Sequence, residues 1–157
     1  TEPEVNERKS RAEDALSATK AGVEEGIVPG GGVAMIRAES AVEKLESTLS
    51  GEEALGARLV RRALSAPLIL ICDNAGHRGE VILNDVRNGE GDWGCDAEEG
   101  EYCHLIEHGI VDPLKVTRSA LENAGSIAGM MITTQAIITE IPEEKPLPQD
   151  MQDFMHD

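Results

Sequence analysis

The chain is expected to fold as a mainly helical protein, and three observations carry that expectation. Over residues 3–25, Val5, Ala12, Leu16, Thr19 and Val23 recur at spacings of three, four and seven, the stripe of an α-helix. Only three aromatic residues occur in 157 (Trp93, Tyr102 and Phe154), so a core must be built from Ala, Val, Ile, Leu and Met. Such a core suits close helix–helix packing better than a β-sandwich. Glycine and proline, finally, mark segment breaks or starts at Gly26, Pro29, Gly51 and Pro67.

The elements follow in order. Gly26 and Pro29 end the first helix, and a second runs over 32–49 until Ser50-Gly51 breaks it. A third covers 52–64. Pro67 opens a fourth in its first turn, where the missing N–H does no harm. A short helix is expected over 80–87. Residues 88–112 carry turn chemistry, Asn-Gly-Glu-Gly-Asp-Trp-Gly-Cys-Asp, flanking short strands, a small β excursion near 93–111. Asp112 then reads as N-cap and Pro113 as first residue of the clearest helix, which continues to about Thr133. Within it Gly125 and Gly129 lie one turn apart, a spacing that favours a close helix crossing. Residues 135–141 are β-branched and strand-like, and 142–157 read as a polar, proline-containing tail. No internal repeat is visible.

Fourteen basic against thirty acidic residues give a net charge of −16. Such a surface repels nucleic acid and anionic membrane, so no partner of either class is expected. No stretch approaches the roughly 20 apolar residues that span a bilayer. The N-terminus carries no signal-like pattern, and a start at Thr1 inside a charged helical pattern reads as a fragment with a cytoplasmic origin. Cys72, Cys95 and Cys103 form no C-x₂-C pair. His104 and His108 stand four apart beside Cys103, but that spacing matches no standard zinc template, so no metal site is assigned. The odd cysteine count also argues against a disulfide framework.

Gly30-Gly31-Gly32, between two helical segments, is the most informative local feature. Glycine serves where the backbone takes positive φ or approaches a ligand closely. Directly before a helix, such a run leaves N–H groups free at its positive end, a place for an anion. Without the lysine and Ser/Thr of a P-loop the triplet alone reads first as a hinge or turn between helices.

Its neighbours add to it. Arg11-Ala12-Glu13-Asp14-Ala15-Leu16 upstream, Gly109-Ile110-Val111-Asp112-Pro113 and Lys115-Val116-Thr117-Arg118-Ser119-Ala120-Leu121 downstream, and Ala128-Gly129-Met130-Met131-Ile132-Thr133-Thr134 beyond, occur in one order and spacing. Together they resemble the C-terminal part of the bacterial-type, group I (GroEL-like) chaperonins, from about Val5 to Pro142. The resemblance implies that 1–26 is the last helix of an intermediate domain, 27–141 the C-terminal half of an equatorial ATPase domain and 142–157 a tail. It implies ATP with Mg²⁺ and K⁺, a homo-oligomeric double ring, a co-chaperonin lid and unfolded polypeptides as substrates. The strand-like 135–141 resembles the segment that pairs with a neighbouring subunit.

The same resemblance implies site residues. Asp14, on its residues alone a surface carboxylate of an amphipathic helix, matches the catalytic Asp that helps position or activate the attacking water, a group phosphoryl transfer needs. Gly31 matches the nucleotide-contacting glycine. Asp112 matches the carboxylate that hydrogen-bonds the ribose, the solution dinucleotide folds also use. Asp96, Ala97 and Glu98 stand where that family has its Asn-Ala-Ala adenine contact. Along an unbroken helix Asp14 lies about 18 Å from Gly26, at about 1.5 Å per residue, so it reaches a nucleotide near Gly31 only by rotation about the 26–32 joint. The family's Asp-Gly-Thr-Thr-Thr phosphate loop does not occur in the chain. The alternative reading is therefore a non-catalytic acidic helical module, a chaperonin-derived fragment without ATPase activity of its own.

Overall fold

In a computed structural model, which describes residues 2–140, the chain is mainly helical, as its periodicity and composition predict. The order is α1 (Glu2–Glu25), β1 (Ile27–Pro29), α2 (Val33–Thr48), α3 (Gly51–Ala63), α4 (Ala66–Asn74), α5 (Gly79–Asn88), β2 (Trp93–Asp96), β3 (Glu101–His104), β4 (Val111–Pro113) and α6 (Leu114–Thr133). The described residues divide into two units, 2–126 and 127–140. The tail expected at 142–157 lies outside the described residues.

The core lies between α2, α4, α5 and the β2–β3 hairpin. Val33, Ile36, Leu68, Cys72, Ile82, Leu83, Val86, Cys95 and Leu105 make one buried cluster, with Ile69, Cys103 and Ile110 packed against it. Its members are small and aliphatic, and the contacts are correspondingly close. A Cβ on Gly79 would come within 2.6 Å of the Ile69 carbonyl oxygen, and one on Gly94 within 2.7 Å of both Val33 and Leu105. Glycine at these two points lets α5 lie on α4, and β2 lie on α2. Asp73 Oδ1 closes the α4–α5 turn by accepting from the Gly79 N–H at 2.9 Å. The α2–α3 hairpin, broken at Gly51 with φ +61°, is laced by Arg58–Glu46 and Arg61–Glu43 ion pairs at 2.9 and 3.2 Å.

Two antiparallel strand pairs frame this core. The β2–β3 hairpin pairs Trp93 with His104 and Asp96 with Glu101. Trp93 stacks on Tyr102 with ring centroids 4.9 Å apart, an aromatic cross-strand pair. The second pair was not foreseen. β1 runs antiparallel to β4, with Ile27 opposite Pro113, Val28 opposite Asp112 and Pro29 opposite Val111. The joint expected over 26–32 is therefore mostly strand and turn. Only Gly26 in it has both a left-handed φ of +89° and open space around its Cα.

Four further expectations change. Asp112 is not the N-cap of α6: it and Pro113 pair in β4, the helix begins at Leu114, and Gly26 accepts the Leu114 N–H at 3.0 Å. The stripe on α1 exists but covers nothing, with Val5, Leu16 and Val23 at 65, 56 and 83 % exposure. Among the described residues no crossing occurs at Gly125 and Gly129, where a Cβ on either would meet nothing within 4 Å. Residues 135–140 form no strand, and Ile141 lies outside the described residues. A strand needs a partner for its N–H and C=O groups, and no described residue of the chain supplies one to this segment.

The glycine triplet yields a stability contrast. A Cβ on Gly32, at φ +81°, would lie 2.7 Å from the Leu68 nitrogen and 2.9 Å from its Cα. Gly32→Ala combines backbone strain with a main-chain clash and is expected to cost about 3 kcal/mol. Gly26→Ala meets strain alone and is expected to cost about 1 kcal/mol. Urea denaturation of the two variants checks the difference.

Candidate functional site

The glycine turn is built from the β1–β4 pair upward. β1 delivers the chain to Gly30, whose N–H donates to the Ile110 carbonyl at 2.9 Å. Gly31 and Gly32 then take left-handed φ values of +61° and +81°, and Gly32 caps α2 without a side chain. The Val33 N–H returns to the Gly30 carbonyl at 3.0 Å, while those of Gly31 and Gly32 donate to no described residue. Two consecutive free N–H groups thus sit at the positive end of a 16-residue helix.

Two of the other three expected clusters gather at this turn. A Cβ on Gly31 would meet the Cys95 carbonyl oxygen at 3.9 Å, so the last residues of β2 lie beside the turn, with Asp96 next along the chain. Asp112 stands opposite Val28, at the β4 end of the same ladder. Its carboxylate is half-buried and accepts no hydrogen bond from a described residue. Burial alone pushes its pKa above the ordinary carboxylate value.

The turn after β2 is tightly organised. Asp96 Oδ1 accepts the N–H groups of Glu98 and Glu99 at 2.9 and 3.4 Å, an Asx-type cap that any Asp or Asn can make. The Ala97 carbonyl takes a hydrogen bond from His77 Nε2 at 3.0 Å, which places the proton of that imidazole on Nε2. Gly100, at φ +76°, leaves room for the His77 ring, 2.8 Å from where its Cβ would be. Ala97 O is therefore engaged, whereas Asp96 Oδ2 and the exposed Glu98 side chain have no hydrogen bond to described residues.

Asp14 does not join them. It lies exposed in the middle of α1, twelve residues before Gly26, or about 18 Å along the helix. The foot of α1 is fastened instead. Arg118 grips Glu25 through two hydrogen bonds of 2.8 and 3.2 Å and reaches Glu122 at 2.9 Å, and Lys115 pairs with Glu24. These contacts hold the Glu25 carboxyl below the ordinary range, the Arg118 hydrogen bond being the largest cause.

Arg37 and His77 carry structural weight that sequence reading missed. Arg37, one turn into α2, donates to three carbonyls: Val86 and Gly91 at 2.8 Å and Trp93 at 2.9 Å. A charged donor on a carbonyl contributes about 1.5–3 kcal/mol per bond at partly buried sites. Its signal in the sequence is slight, a single cation in the apolar, small-residue stretch Val33–Ala38. The cysteines are core residues with thiols held protonated. Burial, with Cys72, Asp96 and Cys103 nearby, pushes Cys95 to about 11. His104 pairs with Asp92 at 2.8 Å, and no group of three metal-capable side chains occurs among the described residues.

A carboxylate kept half-buried without a partner costs stability where it is ionised, a cost typical of functional sites. The raised native pKa of Asp112 means that this cost is full at neutral pH and fades as pH falls through the native value toward the ordinary 3.8. Asp112→Asn is therefore expected to raise the urea midpoint at pH 7, with the gain shrinking on acidification. Denaturation curves between pH 7 and 3 check the sign.

Comparisons with known proteins bear on the family and the fold. The model of the TCP-1/cpn60 chaperonin family matches residues 1–142. Among solved structures, a group III chaperonin in its open state superposes with a TM-score of 0.69 at 32 % identity, over 75 % of this chain and 25 % of its own. An open-state group II chaperonin monomer from Methanococcoides burtonii superposes with a TM-score of 0.64 at 24 % identity, over 69 % of this chain and 28 % of its own. The chain thus spans about a quarter of the length of the solved chaperonins it matches. With a family model covering nearly its whole described length and a helical fold shared with these structures, the chain belongs to the TCP-1/cpn60 chaperonin family.

Proposed function

We propose that this chain is the part of an ATP-dependent chaperonin subunit that closes the nucleotide site from below and carries the hydrolytic carboxylate above it. One observation carries the reading: two free glycine N–H groups and an unpartnered, half-buried carboxylate, Asp112, on one short strand-and-turn unit. N–H groups at a helix N-terminus suit phosphate oxygens, and a carboxylate suits the hydroxyls of a ribose. Asp96 Oδ2 and Glu98 are acceptors, and an adenine presents an exocyclic amino group to acceptors. The chain then supplies the base and ribose side of the site and one edge of the phosphate side.

Asp14 is the catalytic residue of this reading. It orients or deprotonates the attacking water when α1 swings down over the nucleotide. Because β1 is tied to β4, the swing turns about Gly26, and the Arg118–Glu25 and Lys115–Glu24 pairs at its foot restrain it. Closure gates hydrolysis, a common use of hinges. Residues 1–26 then belong to an intermediate domain and 27–141 to half of an equatorial domain. The Mg²⁺ and K⁺ that accompany ATP in the family find no three-ligand set among the described residues, so no step runs through them here.

The wider assignments rest on motif order. Asp14 within Glu-Asp-Ala-Leu and the Gly-Ile-Val-Asp-Pro stretch support a bacterial-type, group I subunit, a cytoplasmic double ring, a co-chaperonin lid and unfolded polypeptide substrates. Against the alternative, a non-catalytic acidic module, stands the unpartnered Asp112, which such a module has no reason to keep.

Two experiments test the reading. Asp14→Ala in the full gene product is expected to leave ATP binding within about twofold and slow turnover by two or more orders of magnitude, since it removes a group used only in the transition state. A parallel loss of binding contradicts it. Residues 1–157 by themselves lack the phosphate loop and are expected to show no micromolar affinity for Mg-ATP in calorimetric titration.

A further inference from the structure

The glycine turn and the 96–98 turn lie on different elements, and the proposed site works only if they keep a fixed separation. α2 and β2 run against each other with a clear register. Gly31 lies against the Cys95 carbonyl, Val33 against Gly94, and Arg37 against the Trp93 carbonyl. The first two contacts are van der Waals approaches that a strand can slide along. Only the third is a hydrogen bond, and among the described residues it is the only side-chain hydrogen bond joining α2 to β2.

Arg37 differs from the other arginines of this region. Arg58, Arg61 and Arg87 pair with the carboxylates of Glu46, Glu43 and Glu39, whose side chains can follow them. Arg37 donates to backbone alone: the end of α5 at Val86, the turn at Gly91 and the start of β2 at Trp93. A planar guanidinium presents its donors in a rigid fork, so three carbonyls bound to it are fixed relative to one another and to α2. Trp93 is three residues from Asp96. Beyond that turn His77 holds Ala97 to the α4–α5 connection. The strand that presents Asp96 is thus pinned at both ends, by Arg37 before it and His77 after it.

We propose that Arg37 is a positioning residue of the nucleotide site, setting the distance between the glycine turn, where phosphate binds, and Asp96-Ala97-Glu98, where the base is recognised. The inference rests on the nucleotide reading above and goes beyond it in assigning base selectivity to a side chain that need not touch the nucleotide. Lysine at this position keeps the charge but has no rigid fork with which to hold three carbonyls at once. The β2–β3 hairpin is then less restrained against α2 and can tilt as a unit about the His77 tether, and the base-side acceptors move relative to the phosphates.

The test uses the full gene product with ATP and GTP as competing substrates. Arg37→Lys is expected to raise KM for ATP while leaving kcat within about twofold, because Asp14 acts from another element. The ratio of kcat/KM for ATP to that for GTP is expected to fall about tenfold, in line with a shift of about 1 Å or less at a binding contact. The emission of Trp93, the only tryptophan of these 157 residues, is expected to shift with it. A purely structural role lowers the melting temperature but leaves the ATP:GTP ratio unchanged, and that result overturns the proposal. Arg37→Gln is scored in the same way should the lysine variant not fold, and if neither folds the residue is structural and the proposal falls. A wild-type protein that binds neither nucleotide sinks the proposed function itself, and this inference with it. A wild type that selects ATP, beside a variant that selects it equally well, sinks only the role of Arg37.

Discussion

The glycine turn at 30–32 is held by main-chain contacts that leave no room for a side chain at Gly32 and little at Gly30, and the rest of the molecule is arranged around that approach. On one side the Gly30 N–H reaches the Ile110 carbonyl, and on the other the Cα of Gly32 lies against the backbone of Leu68. The first contact joins the turn to the β1–β4 ladder, the second joins it to α4 and so to the buried core. A backbone locked on both flanks cannot relax to satisfy its own donors. That is why the N–H groups of Gly31 and Gly32 stay free and why α2 begins with no side-chain cap. The cost of a helix N-terminus left open is accepted where something else is meant to occupy it.

The same lock bears on the proposed swing of α1, because the glycine turn and the helix share a short chain segment. Ile27–Pro29 are tied down by strand pairing, and Gly26, the last residue before the ladder, combines a left-handed φ with open space around it. The ion pairs from Arg118 and Lys115 to Glu25 and Glu24 span this point from α6 to α1. They are exposed, so each is weak and screened by salt. Weak restraints suit the proposed hinge, since they would bias α1 toward one orientation without making another inaccessible. The uncovered apolar stripe of α1 is consistent with an arm that packs on different surfaces in different states, since a helix buried permanently in one place cannot swing.

Much of this was legible in the residues. Periodicity and the Gly/Pro punctuation placed α1 through α5 nearly to the residue, because each helix is short, uninterrupted and closed by a local signal such as Ser50-Gly51 or Pro67. Asp112-Pro113 misled for an instructive reason. The pair is a good local helix start, but Asp112 also faces Val28 across a ladder 84 positions away in sequence, and non-local pairing leaves no local trace. Residues 135–141 erred the other way: β-branched composition expresses a preference that only a partner strand can realise. Of the expected site, Gly31, Asp96 and Asp112 come together, whereas Asp14 stands apart on an arm. Arg37 and His77 escaped notice because their partners are carbonyls, which every residue has and no sequence pattern marks.

Electrostatics then orients whatever binds here. The chain carries a net charge of −16, and Asp96, Glu98, Glu99 and Asp112 cluster around the strand ends beside the turn. A triphosphate laid among those carboxylates would be repelled, and among the described residues no lysine or arginine hydrogen-bonds into the turn to offset them. The favourable potential at the turn comes from its own N–H groups, at the positive end of α2. An anionic ligand that also bears hydroxyl and amino donors can therefore lie in one sense only, with phosphates toward Gly31 and Gly32 and donors toward the carboxylates. Acidic residues at 96 and 98 reinforce that polarity, because they accept from a base amino group while pushing phosphate away. In the proposed site, the same acidity that gives the chain its net charge of −16 would fix the direction of a single nucleotide.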